Sequence, residues 1–209
     1  MFIKICGITS EEDALLAVAL GADAIGFIFA PSARQIAPTK ALDIVKRLPS
    51  DVVTVGVFRD EHPKRVLEIA RSARLKGVQL HGNEPVSAVR EVAQEVRFAI
   101  KAVVAGSDAA RRANDYGTDV ILVDNARPGS GERFDWSLLD EIPTGLRVML
   151  SGGLNGENVR EAILTRRPWG VDVASGVEKA PGVKDAVKLR QFIVNARDAQ
   201  AEIGDDLID

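Results

Sequence analysis

The sequence predicts a single α/β domain, a (β/α)8 (TIM) barrel with a parallel eight-stranded core. Short apolar runs alternate with segments of helical period along the chain, and eight such units can be counted. Parallel strands covered by helices on both faces have this appearance. Eight units in 209 residues favour a closed barrel over an open doubly wound sheet. No Gly-x-Gly-x-x-Gly follows the first run, as a dinucleotide-binding sheet would require.

The elements are placed where the apolar period changes. The predicted strands are residues 2–6, 23–29, 52–58, 77–81, 97–103, 119–124, 146–151 and 170–174. The predicted helices are residues 11–20, 39–48, 63–75, 85–95, 158–164 and 185–199. The barrel is expected to occupy residues 1–200, with an acidic tail over 201–209 and no second domain.

Helix boundaries have recognisable signals in this chain. Two overlapping capping-box motifs begin at Thr9 and Ser10, ahead of the first predicted helix. Pro63 suits the first turn of a helix, because the nitrogen of proline carries no hydrogen to leave unsatisfied. Gly21 and Gly77 fall where we expect helices to stop.

Composition excludes several classes of protein. Apolar residues make up 46% and charged residues 27%, which is typical of a globular domain. No apolar run reaches the roughly 20 residues that span a bilayer, and the chain enters a strand-like run at once, so we expect a cytoplasmic protein without a membrane partner. The single cysteine, Cys6, excludes an internal disulfide. A net charge of -3 argues against nucleic acid as a partner but permits a small anionic substrate.

Functional residues of such barrels lie where the strands end and in the loops that follow. The seventh and eighth strands end in two neighbouring small-residue loops. There, exposed backbone N–H groups can hold a phosphate, and a short helix is expected to begin at Ser175. The alternative is two ordinary glycine turns. The residues predicted to bind phosphate are Gly152, Gly153, Ser175 and Gly176.

Cys6 ends the first strand and has two interpretations. It is either a small buried hydrophobe or a base, and a base requires a site that lowers the pKa of the thiol. Strand alternation places Lys4 on the same face as Cys6, one layer deeper in the barrel. A buried lysine needs a carboxylate partner, and we expect that partner to be Asp172.

Three further polar residues follow strands. Asp124 ends an apolar strand and is a candidate general acid, with a helix cap or an inner ion pair as the alternative. Arg34 is expected in an exposed loop, either solvated or holding a substrate carboxylate bidentately. His81 shares a strand face with Gln79 and is equally consistent with a ligand contact and with a packed ring. No set of residues has metal-ligand spacing, so the residues alone predict a phosphate-binding barrel and no particular reaction.

Seven segments resemble the phosphoribosylanthranilate isomerase family, in order and from Lys4 to about Phe192. The segments are Lys4-Ile5-Cys6-Gly7-Ile8-Thr9, Gly21-Ala22-Asp23-Ala24-Ile25-Gly26-Phe27, Val55-Gly56-Val57-Phe58, Val78-Gln79-Leu80-His81-Gly82, Phe134-Asp135-Trp136, Leu150-Ser151-Gly152-Gly153-Leu154 and Val171-Asp172-Val173-Ala174-Ser175-Gly176-Val177-Glu178. The resemblance implies an Amadori rearrangement of N-(5′-phosphoribosyl)anthranilate in tryptophan biosynthesis. Such an aldose-to-ketose shift needs one acid and one base, and no cofactor is expected.

The resemblance also implies roles for individual residues. Cys6 would be the general base and Asp124 the general acid, while backbone in the two glycine loops would hold the phosphate. The residues expected to contact the substrate are Arg34, facing the anthranilate carboxylate, His81 and Asp172. The partner implied is a small phosphosugar, and the protein is expected to be a monomer or a homodimer.

Two segments depart from the family pattern, and three rival functions are weighed. The loop 125–133 is shorter than usual and has Glu132 where a lysine is common, and Gln35 stands where a second basic residue is frequent. A double-aspartate aldose–ketose isomerase would need an aspartate where Cys6 stands. Indole-glycerol-phosphate synthase would need a longer N-terminal segment and catalytic lysine and glutamate residues. A non-catalytic barrel that senses a phosphorylated ligand is the alternative from a different class.

Overall fold

The protein forms a closed barrel of eight parallel strands, which confirms the predicted (β/α)8 architecture. The structure is a computed structural model and describes residues 1–127 and 131–204. Each strand pairs with the next along the chain, and the eighth pairs with the first. The strands are β1 Phe2–Ile5, β2 Ala24–Ile28, β3 Val53–Phe58, β4 Gly77–Leu80, β5 Ala99–Val104, β6 Val120–Asp124, β7 Arg147–Leu150 and β8 Gly170–Val173.

Helices surround the barrel, and their boundaries follow local sequence. The helices are α1 Glu11–Ala19, α2 Pro38–Val45, α3 Pro63–Ser72, α4 Val86–Glu95, α5 Asp108–Arg111, α6 Val159–Arg166 and α7 Ala186–Ile203. Ser10 caps α1, because its hydroxyl accepts from the Asp13 N–H at 3.2 Å. Thr9, the other predicted cap, instead donates its hydroxyl to a distant carbonyl. Pro63 begins α3 as predicted.

Several boundaries differ from the predictions. After β5, where no helix was predicted, the chain makes the four-residue α5 and a 3-10 turn, and between β6 and β7 the described residues form the 3-10 segment Trp136–Glu141. Gly77 does not stop a helix; it begins β4, where a side chain would meet the Phe98 carbonyl. Helix α7 continues to Ile203, past the boundary expected at residue 200, and residues 205–209 of the expected tail lie outside the described residues.

The inside of the barrel changes from apolar to polar along its axis. Its amino end is closed by aromatic rings, with Phe2 stacked on Trp169 at 4.7 Å and tilted against Phe98 at 6.0 Å. Above them lies an apolar layer that includes Val55, Ile100, Ala102, Val120, Leu122 and Met149. Buried polar side chains from β1, β4 and β8 lie closer to the carboxyl end. Apolar contacts therefore stabilise the amino end of the barrel, and the buried polar groups lie near its carboxyl end.

Strand register brings the ends of the chain together. In the β1–β8 pair Lys4 lies directly beside Asp172, so both side chains point to the same side of the sheet. After β8 the chain makes a three-residue 3-10 turn, Ser175–Val177, and then a short antiparallel hairpin, β9 Glu178–Ala180 with β10 Val183–Lys184. The expected helix after Ser175 is thus a single turn followed by this hairpin. No helix of the described chain is long and apolar enough to cross a membrane.

Candidate active site

A cavity of about 200 Å³ opens at the carboxyl end of the barrel. It is lined by loops after most of the strands, and most of the predicted site residues face it. The predicted residues that line it are Cys6, Arg34, His81, Asp124, Gly152, Gly153, Asp172 and Ser175. Gly176 does not line the cavity, because it packs against the Leu154 carbonyl, where a Cβ atom would lie only 1.9 Å from the oxygen.

Cys6 lies above a buried ion pair, as the sequence predicted for Lys4 and Asp172. The Lys4 ammonium is fully buried and its Nζ lies 2.9 Å from Asp172 Oδ1. The same ammonium lies near the Cys6 thiol, and its charge lowers the pKa of that thiol. The other carboxylate oxygen of Asp172 accepts from the Ser151 hydroxyl at 3.3 Å. The partner predicted for Lys4 is therefore confirmed.

The pKa values around Cys6 are shifted by burial and by these charges. Burial alone would lower the pKa of Lys4, but the Asp172 carboxylate and Cys6 outweigh it, and the pKa of Lys4 is raised. The pKa of the Cys6 thiol is also raised, because burial and the Asp172 charge outweigh the attraction of Lys4 and Lys184. The expectation that the site lowers the pKa of the Cys6 thiol is therefore wrong.

Gly26 makes room for this arrangement on the neighbouring strand β2. A Cβ atom at this position would lie 2.9 Å from Cys6 Sγ and 3.1 Å from Lys4 Nζ. Any side chain would therefore push the thiol or the ammonium out of place. A glycine inside a strand commonly marks such a close approach, and this signal was present in the sequence but not used.

Asp124 is buried on β6, where it contacts a main-chain N–H and the His81 ring. Its Oδ1 accepts from the N–H of Asn125 at 2.7 Å, and its Oδ2 lies 3.3 Å from His81 Nε2. The other ring nitrogen of His81 is 2.8 Å from the Gln79 amide nitrogen. An amide nitrogen donates, so Gln79 donates to Nδ1, and the hydrogen on Nε2 of His81 faces the Asp124 carboxylate. His81 is thus a hydrogen-bonded ring that also lines the cavity, which joins the two interpretations left open by the sequence.

The glycine loop after β7 approaches Asp124 and the loop after β6. Gly152 has a φ of 76°, and a Cβ atom there would meet Asp124 Oδ1 at 2.9 Å. Gly153 has a φ of 69° and lies against the main chain of Glu132. In the loop after β6, the Asn125 amide donates to the Glu132 carbonyl at 2.5 Å and so joins the two ends of that loop. Residues 128–130 of the loop lie outside the described residues. Both glycines are required by left-handed backbone and by close approach.

Arg34 was expected to be exposed, either solvated or holding a substrate carboxylate, and the expected exposure is wrong. Its side chain is only 14% exposed, because it forms a bidentate ion pair with Glu178. Nε lies 2.9 Å from Glu178 Oε1, and Nη2 lies 2.8 Å from Oε2. Glu178 therefore takes the Nε–Nη2 edge of the guanidinium, and its position 144 residues away explains why sequence patterns missed the pair.

Lys184 is a second buried cation that the sequence did not indicate. Its Nζ donates to the Cys6 carbonyl at 2.6 Å and to the Ala174 carbonyl at 3.2 Å, and it pairs with Glu178 at 3.0 Å. Burial lowers the pKa of Lys184 more than Glu178 raises it. The pKa of Glu178 is lowered, because Arg34 and Lys184 together outweigh the effect of its burial.

The fold and the cavity are those of a (β/α)8-barrel enzyme, and comparison with known proteins identifies the family. The family model described as N-(5'phosphoribosyl)anthranilate (PRA) isomerase matches residues 3–195. The N-(5'-phosphoribosyl)anthranilate isomerase of Thermotoga maritima is 48% identical over 201 residues, which is 93% of this chain and 98% of that protein. The corresponding protein of Desulforudis audaxviator is 45% identical over 204 residues, 94% of this chain and 98% of its own.

Solved structures give the same result. The crystal structure of phosphoribosyl anthranilate isomerase from Thermus thermophilus superposes with a TM-score of 0.90 and 45% identity, covering 96% of this chain and all of that one. An isomerase in complex with reduced 1-(o-carboxyphenylamino)-1-deoxyribulose 5-phosphate gives a TM-score of 0.84 and 44% identity, covering 95% and 99%. The chain belongs to the N-(5′-phosphoribosyl)anthranilate isomerase family, whose members are isomerases of tryptophan biosynthesis.

Proposed function

We propose that this chain converts N-(5′-phosphoribosyl)anthranilate to 1-(2-carboxyphenylamino)-1-deoxyribulose 5-phosphate, with Cys6 as general base and Asp124 as general acid. The observation that carries the proposal is the placement of this thiol and this carboxylate in one cavity. An Amadori rearrangement requires one group that gives a proton and another that takes one, and both must reach the same sugar.

The first step opens the ribose ring. Asp124 in its protonated form gives its proton to the ring oxygen as the bond from that oxygen to C1′ breaks. The lone pair on the anthranilate nitrogen forms a C=N bond to C1′, which leaves a cationic Schiff base. The Asn125 N–H and His81 fix the two oxygens of Asp124 and so orient the carboxyl group toward the cavity.

The second step forms the product skeleton. The Cys6 thiolate removes the proton from C2′, and the electrons of that C–H bond form a C1′=C2′ double bond while the nitrogen becomes neutral. The resulting enolamine tautomerises, because its C2′ hydroxyl loses a proton and C1′ gains one. The Lys4 ammonium stabilises the thiolate that this step requires, since it lowers the pKa of Cys6 against the effect of burial.

Substrate binding is proposed at the two ends of the cavity. Arg34 offers its Nη1–Nη2 edge to the anthranilate carboxylate, because Glu178 already holds the other edge. Backbone N–H groups of Gly152, Gly153 and Ser175 face the phosphate, with Gly176 shaping the loop beside Leu154. His81 and Asp172 line the same cavity and are proposed to contact the substrate.

The test is turnover of freshly generated N-(5′-phosphoribosyl)anthranilate, followed by the loss of its fluorescence. We expect rapid decay with the unmodified chain and at least ~10²-fold slower turnover for Cys6→Ser and for Asp124→Asn, as is usual when an acid or base is removed. Serine and asparagine keep the size of the original side chains, so a loss of rate reports on proton transfer rather than on packing.

Other outcomes would contradict parts of the proposal. Binding without turnover by the unmodified chain would favour the sensor function over an enzyme. A fully active Cys6→Ser would leave the reaction in place and remove the general base. We further propose a monomer or a homodimer as the working form, because the isomerase of Thermotoga maritima is described as dimeric.

A further inference from the structure

The hairpin formed by β9 and β10 is tied to loops that hold the proposed base and the proposed carboxylate ligand. At its turn, the Gly182 carbonyl accepts from the Thr9 hydroxyl at 2.6 Å, in the loop after β1. On β10, the N–H of Lys184 donates to the Asp13 carboxylate at 3.1 Å, on helix α1. Both contacts join residues more than 170 positions apart in sequence, so the hairpin fastens the last barrel loop to the first.

The Lys184 ammonium sits where the first and eighth strands end. It is buried and uses its three hydrogens on the Cys6 carbonyl, the Ala174 carbonyl and the Glu178 carboxylate, at 2.6, 3.2 and 3.0 Å. Three convergent acceptors fix one point in space, and the shortest of the three bonds goes to the residue that carries the thiol. The main chain at Cys6 is thus held by a side chain that lies outside the cavity lining.

The Glu178 carboxylate receives donors from three directions. Arg34 donates through Nε and Nη2, Lys184 donates through Nζ, and the Gly182 N–H donates at 3.2 Å. The side chain of Glu178 is 4% exposed, so this carboxylate is shielded from water. A planar bidentate pair of this kind fixes the orientation of the guanidinium as well as its position.

We propose that Lys184 and Glu178 are positioning residues, through which the β9–β10 hairpin sets the main chain of Cys6 and the orientation of Arg34. The inference rests on the proposed function, since it concerns the proposed general base and the proposed ligand of the anthranilate carboxylate. Lys184 acts on the proton-transfer step and Glu178 acts on substrate binding.

The charges of Arg34, Glu178 and Lys184 support separate roles for Lys184 in proton transfer and for Glu178 in substrate binding. Arg34 and Lys184 share the single carboxylate of Glu178, so the three side chains together carry one positive charge. The Lys184 charge lowers the pKa of Cys6, against the larger effect of burial. Loss of Lys184 therefore removes both a tether on the Cys6 main chain and a cation that favours the thiolate.

A second buried lysine provides a matched control. Lys101 pairs with Glu84 at 2.7 Å and donates to the Gly82 carbonyl at 2.6 Å, so it has the same kind of surroundings as Lys184. Lys101 is on β5, and its ammonium contacts the end of β4 rather than Cys6. Lys188 gives a further control, because its ammonium donates to the Glu178 carbonyl at 3.0 Å and so holds the hairpin without the carboxylate.

The experiment compares Lys184→Met and Glu178→Gln with Lys101→Met and Lys188→Met in the full chain. Turnover gives kcat and KM, and the rate of alkylation by iodoacetamide against pH gives the ionisation of Cys6, the single cysteine. We expect Lys184→Met to lower kcat by about tenfold with a smaller change in KM, and to move the alkylation curve to higher pH. Glu178→Gln should raise KM by about tenfold with a smaller change in kcat.

The controls decide between positioning and general support of the fold. Lys101→Met and Lys188→Met should keep kcat and KM within about threefold of the unmodified chain. If Lys184→Met matches Lys101→Met in kcat, KM and alkylation curve, the positioning role of Lys184 is wrong. If Glu178→Gln leaves KM unchanged, the role of Glu178 is wrong.

Two provisions keep the test informative. If Lys184→Met fails to fold, the double variant Glu178→Gln/Lys184→Met leaves no unpaired carboxylate and should fold, with both the kcat and the KM defect; normal constants in that variant would overturn the proposal. Alkylation needs no turnover, so it reports on Lys184 even if the proposed reaction fails. A fully active Cys6→Ser would instead contradict the base assignment itself.

Discussion

Cys6 and Asp124 face the same cavity, but the cavity holds them in different ways. The surroundings of Cys6 are charged, with Lys4 and Asp172 beneath it and Lys184 on its carbonyl. The donors that hold Asp124 are a main-chain N–H and the His81 ring. Placement of the thiol therefore depends on buried charged groups near the first and last strands. Placement of the Asp124 carboxyl depends on its contacts with a main-chain N–H and the His81 ring.

The largest predicted effect concerns the ion pair below Cys6 and tests whether buried charges hold the thiol in place. Asp172→Asn should lower the free energy of unfolding by about 3–5 kcal/mol, because it leaves the Lys4 ammonium buried without a carboxylate. Urea unfolding measures the change. The double variant Lys4→Met/Asp172→Leu serves as its control and should recover most of the loss, since an apolar pair replaces both charges. A loss below about 1 kcal/mol in Asp172→Asn would show that the pair is solvated.

The second prediction concerns pH and distinguishes the charged surroundings of Cys6 from the hydrogen-bonded surroundings of Asp124. Since the pKa of Cys6 is raised, the thiol form predominates near neutral pH and the thiolate fraction grows as pH rises. We expect kcat/KM to increase about tenfold between pH 7 and pH 8, as for a single ionisation well below its pKa. A profile already flat across that interval would mean that the thiolate is the resting form. Measurements at constant ionic strength separate this ionisation from salt effects.

The smallest predicted effect tests the contacts that hold His81 beside Asp124. Gln79→Leu removes the donor to His81 Nδ1 and frees the ring to take its other tautomer. We expect kcat to fall about three- to tenfold, equivalent to one hydrogen bond of about 0.5–1.5 kcal/mol, with the pH profile of Cys6 unchanged. A shift of that profile in Gln79→Leu would show that the ionisation of Cys6 is coupled to the surroundings of Asp124. Retention of full kcat would show that His81 needs no support from Gln79.

Sequence patterns predicted the parts of the site that depend on strand geometry. Alternation along β1 places Lys4 below Cys6, and a buried ammonium demands a carboxylate, which led to Asp172. Their positions at strand ends made Cys6 a candidate base and Asp124 a candidate acid, the family resemblance assigned these roles, and both roles stay predictions. The pairing of Arg34 with Glu178 was missed because it depends on how two distant loops fold over the barrel, and no periodicity encodes that contact.

No helix was predicted after β5 or β6, where tertiary packing rather than helical period determines the structure. The segments after β5 and β6 cover the barrel with short turns, which have too few residues for an amphipathic pattern to develop. Lys184 was missed for a different reason. Its neighbours Gly182 and Asp185 resemble any polar loop, and only the three acceptors around the ammonium distinguish it.

The β1–β8 pairing has a consequence for the order in which the protein becomes functional during synthesis. Cys6 leaves the ribosome well before the groups that fix it, because Asp172 and Lys184 are made more than 160 residues later. A nascent chain that has not reached β8 holds Lys4 without its counter-ion and cannot close the barrel. The thiol is thus shielded and positioned only after the last strand docks, so a partly made chain exposes a cysteine that the finished protein buries.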